Sequence, residues 1–244
     1  MSTQPWVAEL VRAFWAEAGS VETFPREVRR SIARALPVSI VLLPRLRLDS
    51  VRAWLRENGI VCPCDERDRP LRACLVACRG HGLIFLDGTD ADDEQRFSLA
   101  HELAHFLRHY WQPRQLACRR LGEQAAEVFD GERPPTGNER LHALLKNAPL
   151  GFHLHLMRRG PRREVLNPAV ARAEEEADLV AYELLAPAAD VLAQTGTIRG
   201  DAGRARLVTV LQTVFGLPQE QATDYGRLLL PRVWEDPLLR RLRS

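Results

Sequence analysis

The sequence predicts an α+β fold: a small antiparallel or mixed sheet packed on one long helix, with helical flanks. Three observations carry this. Runs with a period of two, such as "LRACLVACR" and "GFHLHLMRR", alternate with runs whose apolar residues recur every three to four positions. The 244 residues suffice for one sizeable core. The chain holds no internal repeat and no low-complexity linker, so a single compact unit is the economical arrangement.

Taken in order, residues 4–18 and 25–36 have the apolar spacing of amphipathic helices. "PVSIVLLPRL" reads as extended, pinned by Pro37 and Pro44. "DSVRAWLRENG" is a short helix with Asp49 or Ser50 as its cap and Gly59 as its stop. "IVCPC", "LRACLVACR" and "LIFLD" read as strands, the last two joined through "GHG" as a hairpin. A long helix is expected from Asp92 to Trp111. Beyond it "RQLACRRLGEQAAEVF" is helical, "DGERPPTGN" is a loop, and Thr136 with Glu139 forms a capping box that opens "ERLHALLKN". "GFHLHLMRR" is a strand that puts His153 and His155 on one face and Phe152, Leu154 and Leu156 on the other. "NPAVARAEEEADLVAYELLAP" is a helix running to Pro187, and "ARLVTVLQTVFGLPQEQATDYGRLLLP" holds two helices around its "GLP" turn.

Composition excludes more than it assigns. A formal net charge of +2 makes no case for a nucleic-acid or membrane partner. Lys146 is the only lysine, a bias that reads as GC-rich coding rather than phosphate recognition. The N-terminus lacks a basic stretch followed by an apolar run, and "PVSIVLLP" is too short to span a bilayer, so a soluble, cytoplasmic protein is expected. The five cysteines are an odd number and are expected as reduced structural thiols. The spacing of "CPC" and "CLVAC" fits no common zinc pattern.

The chemistry lies in "RFSLAHELAHFLRHY". On a helix, residues four apart lie roughly 40° apart around the axis and about 6 Å along it. His101 and His105 therefore project from one face and can grip one metal ion. Glu102 is one step round, placed to take a proton from water without binding the metal. Random placement of the residues gives roughly 0.015 such motifs. A solvated helix that merely carries histidines is disfavoured by the apolar company of Phe97, Ala100, Ala104 and Leu107.

A catalytic zinc wants a third protein ligand. His109 lies about 12 Å along the axis from His101, too far to share one ion with both, which leaves it a capping or supporting place. The longer histidine spacing of metzincins would fall on Trp111, so that class is excluded. In "AEEEADLVAYELLAP", Glu174 and Asp178 share a helix face. Gluzincins use such a pair, the glutamate on the metal and the aspartate behind a ligating histidine, where it fixes the tautomer. Glu175 and Glu176 read as a solvated acidic face.

"RFSLAHELAHFLRHY" followed by "EEEADLVAYELLAP" resembles the ImmA/IrrE metallopeptidase family, and "VRAWLRENGIVC" and "GLIFLD" are similar to its N-terminal half. The resemblance covers roughly residues 47–110 and 171–187. It implies a zincin-like core holding one Zn2+ on His101, His105 and Glu174, with Glu102 as general base. On it the chain divides into an N-terminal helical extension (1–46), a catalytic domain (47–190) and a C-terminal helical segment (191–244). Ala104 stands where the family usually has glycine, and residues 112–170 form an insertion: a lid, a substrate-selecting subdomain or a plug. His153, His155 or Tyr182 is a candidate to stabilise the oxyanion or meet substrate. The substrate implied is an intracellular protein of the helix-turn-helix repressor kind, in a stress or mobile-element response. It is expected to lie antiparallel to the edge of "LIFLD". Two alternatives stand beside this reading. One is a catalytically silent regulator that binds a partner protein. The other is a DNA-binding module on "VLQTVFGLPQEQATDYGRLL", where Gly216 suits the turn but Glu220 and Asp224 repel phosphates.

Overall fold

The computed structural model describes residues 4–19, 23–62, 64–140, 152–159 and 167–230. Helices α1 (Pro5–Ala18) and α2 (Val28–Ala35) lead into strand β1 (Val38–Leu43) and helix α3 (Leu48–Glu57). The hairpin β2 (Leu71–Cys78) and β3 (His81–Asp87) precedes α4 (Asp92–His105). Then come α5 (Gln112–Leu121), α6 (Gln124–Phe129), β4 (His153–Arg158), α7 (Pro168–Leu185), α8 (Ala188–Thr195), α9 (Gly200–Thr213) and α10 (Gln219–Leu229).

The sheet is mixed, in the order β1-β3-β2-β4, with β1 parallel to β3 and the other pairs antiparallel. Alternation in β2 sorts the core into two layers. Ala73, Leu75 and Ala77 face α4, while Leu71, Cys74 and Val76 pack with Leu48, Val51 and Leu55 of α3 on the other side. Helix α4 lies between the sheet and α7. The aromatic pair Tyr182 and Tyr225, stacked at 4.3 Å, ties α7 to α10.

Several expectations shift here. "IVCPC" forms no strand in its described residues; Cys62 and Cys64 sit in irregular chain against the α3 layer. All five cysteines are free thiols. Helix α3 starts at Leu48, so neither Asp49 nor Ser50 is its cap; Asp68 reaches in from outside to accept from the Asp49 N–H at 3.0 Å. Ser50 instead accepts from the Arg47 N–H at 3.0 Å, and Gly59 ends the helix with φ 73° as its position predicts. The helical run after Trp111 breaks at Gly122, where φ is 89°, giving α5 and α6. The Thr136–Glu139 box is made, with the Thr136 N–H donating to Glu139 at 2.7 Å; residues 137–140 are helical, and the rest of "ERLHALLKN" lies outside the described residues. The strand "LIFLD" has no free edge: β3 is flanked by β1 and β2, so substrate cannot pair with it. Among the described residues the free edges are those of β1 and β4.

Helix α4 continues past His105 as a π-helical turn, Phe106–Trp111. In such a turn residues five apart come together, and Phe106 and Trp111 accordingly stack at 5.7 Å. The wider turn lets Phe106, Leu107 and Tyr110 all be buried. Among the described residues no helix is long and apolar enough to cross a membrane.

Candidate metal centre

Residues His101, Glu102 and His105 are at most 2% exposed, because α4 is covered by the sheet on one side and α7 on the other. Helix α7 opens with Asn167, whose side chain accepts from the Ala169 N–H at 2.8 Å, and Pro168 at its first position. Its inner face delivers Glu174 and Asp178 together, as their spacing predicts.

The donor atoms converge. His101 Nε2 and His105 Nε2 are 3.1 Å apart, and Glu174 offers its oxygens 3.5 Å from the first and 3.6 Å from the second. A tetrahedral zinc with bonds of about 2.0–2.1 Å holds neighbouring donors roughly 3.3 Å apart, so the spacing fits one such ion. Behind the cluster, His101 Nδ1 donates to Asp178 at 3.0 Å. His105 Nδ1 faces His109 Nδ1 at 3.1 Å, a hydrogen bond whose direction depends on the tautomers, and burial pushes His109 down to about 4. With Asp178 accepting from Nδ1, a neutral His101 turns its Nε2 lone pair toward His105 Nε2, and both nitrogens can face one metal ion. Without metal a proton takes its place: burial opposes charge on His101, yet Asp178 and Glu174 outweigh it and lift the ring to about 9. Burial and the neighbouring histidines hold His105 neutral, well below its ordinary value. Burial would raise the Glu174 carboxyl, but His101 and His155 hold it below the usual carboxylate range.

Strand β4 completes the cluster. The sequence put His153 and His155 on one face without telling which way that face looks. It looks inward: His155 lies opposite Leu75, on the α4 side of the sheet. Its Nδ1 is 3.0 and 2.8 Å from the two oxygens of Glu102, and its Nε2 is 2.7 Å from Glu174. Burial disfavours its charge, but the two carboxylates dominate and lift it to about 10. One nitrogen or oxygen from each of His101, His105, His155 and Glu174 lies within 4.8 Å of the others. Among the described residues no other group of this kind is found.

A family model described as Peptidase_M78, the IrrE N-terminal-like domain, matches residues 66–131. Over this stretch the chain is similar to the ImmA/IrrE metallopeptidases. Within it, the match takes in the hairpin and all of α4 and stops before His155 and Glu174. No curated protein matches the chain. His101, Glu102 and His105 thus come from the matched segment, and His155 and Glu174 from β4 and α7 beyond it.

The other expected residues flank the cluster. The His153 ring lies 6.5 Å from that of His109, with its buried Nε2 unpartnered among the described residues and its pKa lowered to about 4 by burial. Tyr182 is 2% exposed, with its ring against those of Phe97 and Tyr225. The contact of His109 with His105 and the reach of His155 to Glu174 had no local sequence signal beyond helical and strand periodicity.

Proposed function

We propose that the chain is a zinc-dependent metallo-endopeptidase in which His101, His105 and Glu174 hold the metal and Glu102 is the general base. The convergence of His101 Nε2, His105 Nε2 and the Glu174 carboxylate, beside a buried Glu102, carries the reading. The nitrogen-rich donor set suits zinc over harder cations. Bound there, zinc supplies Lewis acidity and brings the pKa of water toward about 7. Asp178 and His109 hold the two imidazoles in the tautomer that leaves Nε2 free. Glu102 accepts the proton of the attacking water and passes it to the leaving amine. The substrate backbone adds to the free edge of β4, the edge strand that carries His155. Its source is an intracellular protein of the helix-turn-helix repressor kind, in a stress or mobile-element response, as the ImmA/IrrE resemblance implies.

Zinc content and peptide hydrolysis test this together. Wild type should hold one zinc per chain, lost in His101→Ala and in Glu174→Ala. Glu102→Gln should keep its zinc and lose at least about 100-fold in kcat, the span of general acid–base catalysis. Hydrolysis that survives Glu102→Gln intact would remove the mechanism. One observation favours the second reading, a silent regulator: His155 already fills the space in front of Glu102.

A further inference from the structure

Resting on the metallopeptidase reading, we infer that His155 is a fourth metal ligand that closes the centre at rest, so that hydrolysis begins only when this side chain yields its place. A catalytic zinc keeps one position for water or substrate, whereas four protein ligands make a closed site. Here the fourth donor is present. A ring nitrogen of His155 belongs to the same set of atoms, all within 4.8 Å, as those of His101, His105 and Glu174, and its Nε2 is 2.7 Å from Glu174. The imidazole is held in register: β4 pairs with β2 on both sides of it, and its ring stacks on that of His105 at 3.6 Å and 21°.

The other nitrogen shows what the closure blocks. Nδ1 donates to both oxygens of Glu102, at 3.0 and 2.8 Å. A water molecule about to be deprotonated needs a place beside the metal and a hydrogen bond to Glu102. His155 takes both at once. A histidine serving only the oxyanion would aim an N–H into the substrate space, whereas both nitrogens here are engaged by Glu102 and Glu174. The side chain is 14% exposed, so it has a solvent-facing way out, and it sits on the edge strand that a peptide would extend.

The test compares wild type, His155→Ala, His155→Phe (which keeps a ring against His105) and Glu174→Ala. Zn2+ affinity is measured by competition with a chelator. The Co2+-loaded proteins are titrated with acetohydroxamate and followed by their visible spectra. Both His155 variants should bind one zinc with affinity lowered at least about tenfold, since even partners behind a ligand are worth 10–100-fold. Their Co2+ spectra should respond to acetohydroxamate at concentrations at least about tenfold lower than wild type needs. Unchanged zinc affinity with an unchanged acetohydroxamate response overturns the fourth ligand while leaving the three-ligand enzyme standing. Wild type that binds no zinc, or zinc indifferent to Glu174→Ala, overturns both.

Discussion

His101 and His105 each commit one ring nitrogen away from the site, to Asp178 and to His109. The two partners differ in kind. Asp178 is a carboxylate 8% exposed, and its charge raises the basicity of the ring it holds. His109 is an imidazole that burial keeps neutral, so it holds the neighbouring ring without adding charge. Asp178→Ala should therefore weaken zinc binding by roughly 10–100-fold, and His109→Ala by less. Chelator competition on the two variants measures the order, and a larger loss in His109→Ala would reverse the assignment.

At the scale of elements, the turn after α4 packs closely on the sheet at Gly82. A Cβ on Gly82 of β3 would stand 2.8 Å from the Phe106 ring and 3.1 Å from Val38, so only glycine admits this approach. Gly82→Ala should cost about 1–3 kcal/mol, the range for overpacking a core, read as a lower midpoint in urea. Because Phe106 directly follows His105, the same variant should also lower zinc affinity. A variant as stable as wild type would show that the π-helical turn gives way freely. Strand β4 makes a complementary point. Its alternation was legible in "GFHLHLMRR", but the same alternation fits either face of the sheet, and the side on which α4 packs turned the histidines inward.

Across the whole molecule, Asp87 joins segments far apart in sequence. At the end of β3 its carboxylate accepts from the backbone N–H groups of Arg45, Leu46 and Thr89 at 2.9–3.0 Å, and from Arg159 beyond β4 at 2.6 Å. It therefore ties the β1–α3 connection and the edge strand to the centre of the sheet. Burial opposes its ionisation, but these donors win and lower its pKa to about 2. The folded value lies below the unfolded one, so the contribution is full above roughly pH 4 and fades as pH falls toward 2. Asp87→Asn should be less stable than wild type by about 2 kcal/mol at pH 7. In urea titrations that gap should narrow below pH 4, and a gap independent of pH would assign the loss to packing alone.

By itself the sequence determined what periodicity and spacing determine. His101 and His105 share a face because they are four apart on a helix, and Glu174 and Asp178 do so for the same reason. The strands "LRACLVACR" and "LIFLD" and the Thr136–Glu139 cap were equally local. Tertiary structure alone decided the strand order, which buries β3 and leaves β4 at the edge, since residue alternation records that a strand has two faces and nothing about its neighbours. It also decided the π-helical turn after His105 and the arrival of His155 between Glu102 and Glu174. Each of these depends on which surfaces pack together, a long-range property that no window of the sequence carries.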